Sequence, residues 1–296
     1  MLDRVDRILI AVRNRNLAAA TFASMLGAQP DRDSRSACLN AHRLVMRVGE
    51  SELELCEPAG PGPVQEFIDR WGEGLLAAGY ASARFDALAA HLDELGVPLA
   101  REDGRLHLPG TSTHGFPMVI SPLVERPRIG PVSFFYEATN TLDTDWRVVA
   151  QRYATMFNLD SSRFSAISSK RFGYEGTLTL FDPPTRLDRI ELSQTFADRP
   201  SAMRRFVERR GGDSLYMCYV ETHDFDGLKA RLLDAGATLT PRGGDVASER
   251  DGLWVHPKNL HGLLLGVSRT SLAWEWSGRP ELVQALPVGS GGCAAA

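Results

Sequence analysis

Leu53-Glu54-Leu55-Cys56-Glu57-Pro58 decides the fold, because the chain repeats it. Glu66-Phe67-Ile68-Asp69-Arg70-Trp71-Gly72 follows, and then Phe85-Asp86-Ala87-Leu88-Ala89-Ala90-His91-Leu92-Asp93-Glu94-Leu95-Gly96. The same order returns as Ile190-Glu191-Leu192-Ser193-Gln194-Thr195, Arg205-Phe206-Val207-Glu208-Arg209-Arg210-Gly211 and Phe225-Asp226-Gly227-Leu228-Lys229-Ala230-Arg231-Leu232-Leu233-Asp234-Ala235-Gly236. The offset is 137 to 140 residues, so one unit of about 135 residues occurs twice. The Pro-rich stretch Pro122–Pro131 marks the seam. The expected division is residues 1–125, residues 128–273 and a disordered tail over 278–296, which ends in glycine and alanine.

Each unit splits again into strand, helix and further strands. Arg7–Val12, Leu75–Ala83, Val132–Glu137 and Leu215–Glu221 read as leading strands. Leu17–Leu26, Phe85–Leu95, Thr144–Phe157 and Phe225–Ala235 read as helices. Gly96 and Gly236 suit C-caps, and Asp143 or Asp145 suits an N-cap. The expected class is α+β, with four β-α-β-β-β modules pairing into two tandem barrels.

Composition bounds the function. The chain has 296 residues, 43% hydrophobic and 24% charged, with a net charge of −4. Such a chain builds globular cores and lacks the basic field that holds a nucleic-acid backbone. No apolar run reaches the length of a membrane span. Cys38, Cys56, Cys218 and Cys293 show no metal or redox spacing, so a reduced, cytoplasmic protein is expected. Gly72-Glu73-Gly74 follows a helix and enters a strand, the reverse of a dinucleotide loop.

This plan resembles the vicinal oxygen chelate superfamily, which includes glyoxalase I, methylmalonyl-CoA epimerase, extradiol dioxygenases and bleomycin-resistance proteins. The carriers are the Leu53–Pro58 motif, the stretch 67–75 and His256-Pro257-Lys258-Asn259-Leu260-His261-Gly262-Leu263-Leu264-Leu265, and the likeness spans about residues 3–270. Two paired-module barrels in one chain are similar to the hydroxyphenylpyruvate dioxygenase arrangement. The resemblance implies glyoxalase-like barrels. It also implies a divalent-metal site, with a histidine on each leading strand and a glutamate on each last strand. Carried over, the leading-strand positions fall on Arg7, Ala77, Pro131 and Met217 (or Tyr216), none of them histidine. The last-strand positions are Glu54, Val119, Glu191 and Gly266. One carboxylate per barrel holds a transition metal poorly, so no metal and no other cofactor is expected. The seven histidines are scattered, and His256 and His261 flank a turn.

The candidate catalytic residues are therefore Glu191 as a base, with Tyr219 and Arg171 as donors in place of the metal's charge. Strand alternation adds Ser133, Phe135, Glu137, Met217 and Glu221 to the same pocket, and puts Tyr216 and Cys218 on the opposite face. Tyr174 joins from a hairpin, and Glu54 is the first-barrel counterpart. Trp274 and Trp276 seal a barrel end or lid the pocket. The expected function is binding of a small oxygenated or aromatic acid or thioester, with metal-independent isomerase or lyase chemistry. The alternatives are a non-catalytic sequestering protein of the resistance type and a metal-dependent dioxygenase. The expected partner is a small molecule, without nucleic acid or membrane, and exposed strand edges admit a homodimer.

Overall fold

The computed structural model describes residues 1–243 and 248–286. Cys293 and residues 287–296 of the expected tail lie outside the described residues.

The first unit runs β1 (Arg4–Ala11), α1 (Arg15–Leu26), β2 (Gln29–Ser36), β3 (Ala41–Val48), β4 (Ser51–Pro58) and α2 (Pro63–Trp71). It continues with β5 (Gly74–Ser82), α3 (Phe85–Glu94), β6 (Ala100–Glu102), β7 (Arg105–Leu108) and β8 (Met118–Pro122). The second runs β9 (Val132–Leu142), α4 (Trp146–Phe157), β10 (Ser165–Ser169), β11 (Tyr174–Leu178), β12 (Arg189–Thr195) and α5 (Ala202–Arg210). It ends with β13 (Ser214–Thr222), α6 (Phe225–Asp234), β14 (Leu239–Pro241), β15 (Gly252–Val255) and β16 (Leu265–Arg269). The sheet orders are β2-β3-β4-β1-β5-β8-β7-β6 and β10-β11-β12-β9-β13-β16-β15-β14, the same path twice. In each, leading strands pair antiparallel at the centre (β1 with β5, β9 with β13) and parallel with the last strand of their own module.

Local chemistry sets the helix starts. Asn14 caps α1 by accepting from the amides of Asn16 and Leu17, Asp145 caps α4 through Arg147, and Ser201 caps α5 through Arg204. Each such cap contributes about 1 kcal/mol. Asp145, one of the two residues expected there, is the cap of α4. Among the described residues no helix is long and apolar enough to cross a membrane.

One apolar core runs through both units, from Ile8, Phe22 and Tyr80 to Phe135, Tyr153 and Val220. Backbone bonds join the units as well, from Glu50 N–H to Ser133 O (2.8 Å) and from Leu215 N–H to Gly115 O (3.1 Å). Beyond β16, Leu272–Trp276 and Pro280–Leu282 make short 3-10 turns, and Leu282 and Val283 pack beside Trp274 and Tyr136.

Bulges break the alternation used to place the pocket. In β9, Tyr136 and Ser133 are extra residues: Tyr219 pairs with Glu137 but Val220 with Phe135, and Glu221 pairs with Phe134 but Thr222 with Val132. In β13, Tyr216 is the extra residue between Leu215 and Met217. Each extra residue reverses which face the following side chains meet. The first unit carries bulges at the matching places, Asp6 in β1 and Leu76 in β5.

Candidate functional site

The strand register shows which positions correspond. Arg7 pairs with Glu52 and Leu9 with Glu54 in the first barrel. Glu137 pairs with Arg189 and Thr139 with Glu191 in the second. Glu137, rather than Pro131, is thus the counterpart of Arg7; Pro131 precedes β9. The repeat keeps an ion pair between the leading and last strands and exchanges its signs.

In the first barrel the exchange closes the site. Arg7 is 2% exposed and meets Asp6, Glu52 (2.8 Å), Glu54 (2.8 Å) and Ser121 (3.0 Å). Glu54, fully enclosed, also takes Arg105 at 2.6 Å and faces Arg43 at 3.7 Å. Burial alone would raise its pKa, but Arg7, Arg105 and Arg43 hold it below the usual carboxylate range. Glu52, held by Arg32, Arg7 and Arg126 against the cost of burial, falls to about 2. Gly79 permits this packing, since a Cβ there would stand 1.9 Å from Arg7 Cγ. The other carried-over positions, Ala77 and Val119, pack with Leu9 in an apolar cluster. Glu54 is therefore an ion-pair residue, and not a wall of an open pocket as expected. A cleft of about 430 Å³ lies over Arg7, Arg32, Glu52 and Arg105.

In the second barrel the exchange leaves a cavity of about 580 Å³. Glu191 lies in its wall, 7% exposed, and accepts from Ser193 Oγ. Glu137, behind it, is fully buried and bonded to Arg189 Nε at 2.6 Å. Arg189 is also fully buried, donates to Leu187 O (3.2 Å) and lies over the Tyr136 ring (4.7 Å). Glu191 has no such cation. Burial raises its pKa well above the carboxylate range, and the adjacent charge and hydrogen bond of Glu137 raise it further. A buried carboxyl next to a carboxylate keeps its proton.

Around Glu191 the cavity is walled by Tyr174, Tyr216, Tyr219, Met217, Trp254 and Trp276. Trp254 Nε1 donates to Tyr219 Oη at 3.0 Å, which leaves the phenolic proton free for a ligand. A Cβ on Gly266 would stand 2.0 Å from Tyr219 Cε1, so only glycine admits this ring. Burial first, and then Glu137 and Glu191, push the Tyr219 phenol above its usual pKa. Arg171 and Arg242 line the cavity as well. Arg171 donates to Gly243 O, and Arg242 stacks on Trp276 at 3.5 Å from the ring centre.

Of the expected residues, the cavity brings together Glu191, Tyr219, Arg171, Tyr174 and Met217, with Trp276. It does not include Ser133, Phe135 or Glu221. Ser133 sits at the seam with the first barrel, and Phe135 is fully buried in the shared core. Glu221 accepts from Ser271 N–H at 3.0 Å, and burial lifts its pKa to about 7. The bulges in β9 and β13 are the reason, and they bring Tyr216 into the cavity although alternation pointed it away. Trp274 is buried beside Tyr136. Arg189, Arg242 and Trp254 carried no signal in the sequence that distinguished them from other strand and loop residues.

The metal-ligand positions do not fit a divalent cation. Those of the second barrel hold Glu137, already bonded to a guanidinium, together with Glu191, Met217 and Gly266. Among the described residues no three His, Cys, Asp or Glu side chains converge.

Residues 6–113 match the family described as Glyoxalase/Bleomycin resistance protein/Dioxygenase superfamily. The first barrel is a domain of that superfamily. Among solved structures, a mutant of 4-hydroxymandelate synthase from Streptomyces coelicolor is similar over 90% of this chain and 93% of its own, with a TM-score of 0.70 at 14% identity. A xylose isomerase-like TIM barrel/4-hydroxyphenylpyruvate dioxygenase fusion protein is similar over 91% of this chain and 49% of its own, with a TM-score of 0.60 at 11% identity. Methylmalonyl-CoA epimerase from Mycobacterium tuberculosis covers 47% of this chain and 88% of its own at 18% identity, with a TM-score of 0.39. No curated protein matches the chain. The tandem fold is thus common to this chain and 4-hydroxymandelate synthase, while function rests on the site.

Proposed function

We infer that the second barrel binds a small oxygenated ligand, an aromatic acid or a thioester, and shifts a proton on it without a metal. The reaction class is that of an isomerase or lyase. The observation that carries this reading is Glu191, a carboxyl with no cationic partner in the wall of a cavity lined by phenols and indoles. A proton passed between Glu191 and a carbon beside a carbonyl makes or consumes an enolate. Tyr219 and Arg171 are the donors that favour the enolate oxygen. Tyr174, Tyr216 and Trp254 supply flat apolar walls. The Arg189–Glu137 pair supports the metal-free reading, because it already neutralises one carboxylate that a cation would need.

The test is exchange of ligand α-hydrogen in deuterated water over a panel of aryl acids and acyl thioesters. Exchange that is lost in Glu191→Gln supports the reading. Panel members that bind without exchange would instead favour a sequestering protein. A specific observation gives that second reading its weight: burial and Glu137 raise the pKa of Glu191 well above the carboxylate range, which lowers the share of the ionised form that acts as a base.

A further inference from the structure

Glu137 is fully buried, lies outside the second barrel's cavity and adjoins Glu191, the one carboxyl among that cavity's described lining residues. Its cation is fixed: Arg189 is held by Leu187 O and the Tyr136 ring, and its Nε lies 2.6 Å from Glu137 Oε2. Thr139 Oγ1 lies 3.5 Å from the other oxygen of Glu137. Glu191 accepts from the Ser193 hydroxyl and shares a hydrogen bond with Glu137; the Arg189 charge acts on it through space, and its other titratable neighbours are the phenols Tyr174, Tyr216 and Tyr219. Two adjacent carboxyls with one guanidinium bind one proton between them, and it belongs on the carboxyl without the cation. We propose that Glu137, ion-paired with Arg189, is a positioning residue that holds the proton on Glu191, so that the cavity's described charged and acidic groups all act as donors and select a conjugated oxyanion.

This inference rests on the binding reading above and sharpens it. Arg171 and Arg242 are obligate donors, Tyr219 has its proton free, and Glu191 carries one of its own. Among the described lining residues no ionised acceptor faces the cavity. The ligand is then rich in acceptors, a phenolate, an enolate or an aryl carboxylate, and Glu191 is an acid toward it. In the chemical step the O–H bond of Glu191 breaks as a C–H bond forms on the enolate carbon. The electron pair of the enolate makes that bond, and Glu191 is left ionised until the reverse transfer. An apolar pocket holding a protonated carboxyl beside a tyrosine as an oxyanion donor has precedent in ketosteroid isomerase.

Two measurements test it. The first is the infrared difference between the wild-type protein and Glu191→Gln at pH 7. It should show loss of the carbonyl stretch of a protonated carboxyl; loss of a carboxylate stretch instead overturns the proposal. The second is titration of 4-nitrophenol, as its phenolate, and of nitrobenzene, its neutral counterpart, into wild type and Glu137→Gln. Without the Glu137 charge, Arg189 becomes free to pair with Glu191, which ionises and repels the phenolate. Phenolate affinity should fall by at least about tenfold, with nitrobenzene affinity unchanged. Equal phenolate affinity in both proteins, or an equal fall for both probes, overturns this inference and leaves the binding reading standing. Binding of neither probe by the wild-type protein overturns both.

Discussion

Glu54→Gln and Glu191→Gln are one chemical change at matching positions of the repeat, and the structure makes their effects on stability opposite in form. Glu191 has a folded pKa well above its ordinary 4.5, from burial and then Glu137. The folded state therefore binds a proton that the unfolded state releases, and wild-type stability falls as pH rises above about 4.5. The slope is about 1.4 kcal/mol per pH unit for one proton. Sustained from pH 5 to pH 7, it amounts to about 2.7 kcal/mol. Glutamine does not titrate, so Glu191→Gln escapes this loss. Altered hydrogen bonding to Ser193 costs about 1 kcal/mol at every pH and leaves the slope intact. Glu191→Gln should thus gain steadily on the wild type as pH rises. Glu54 behaves in the reverse sense. Its folded pKa is depressed by Arg7, Arg105 and Arg43, so its contribution is full above about 4.5 and lost as pH falls. Glu54→Gln leaves the buried Arg7 and Arg43 and the half-buried Arg105 short of a carboxylate and should cost about 3 kcal/mol, constant from pH 5 to pH 7. Urea unfolding of the three proteins at pH 5, 6, 7 and 8 measures both. Parallel stability curves for the wild type and Glu191→Gln would refute the placement of the proton, and with it the contrast between the barrels.

Glu52 adds an acid limb. Its pKa of about 2 in the folded protein implies a stability loss of roughly 3 kcal/mol as pH falls from about 4.5 toward 2, and Glu52→Gln should flatten that limb in acid unfolding curves. Gly79→Ala puts a methyl into the stem of Arg7, which Glu52 and Glu54 hold in place, and should cost about 1–3 kcal/mol by urea unfolding; a neutral result would mean that Arg7 can move. Arg210 of α5 stacks on Trp71 of α2 at 4.5 Å and on Phe206 at 5.1 Å, and burial beside Arg209 and Arg70 lowers its pKa to about 10. Arg210→Met should lose about 1–2 kcal/mol and change the emission of Trp71, whereas unchanged emission would show that the stack does not brace the two helices.

Much of the architecture was legible in the chain. A motif returning after 137 to 140 residues requires two like units, and the glutamate of Leu53–Pro58 returns as Glu191 because both lie on the last strand of a module. Apolar periodicity and capping residues place the helices, since those signals are local. The pocket wall was only half legible. Met217, Tyr219, Tyr174, Arg171 and Glu191 were found by alternation and by the hairpin, whereas the bulges at Ser133, Tyr136 and Tyr216 reversed the faces that alternation assigned to Phe135, Glu221 and Tyr216 itself. A bulge depends on how two strands meet, and neither strand encodes it alone.

The sequence by itself determined that a carboxyl stands at the same place in both barrels and that the histidines of a metal site do not. Only the tertiary structure decided what those carboxyls are. Glu54 meets arginines from β1, β3 and β7 and is a locked anion; Glu191 meets a glutamate from β9 whose own charge is already taken by Arg189, and it keeps its proton. The ionisation of a buried group follows from the charges packed within a few ångströms of it, and those come from strands far apart in the chain.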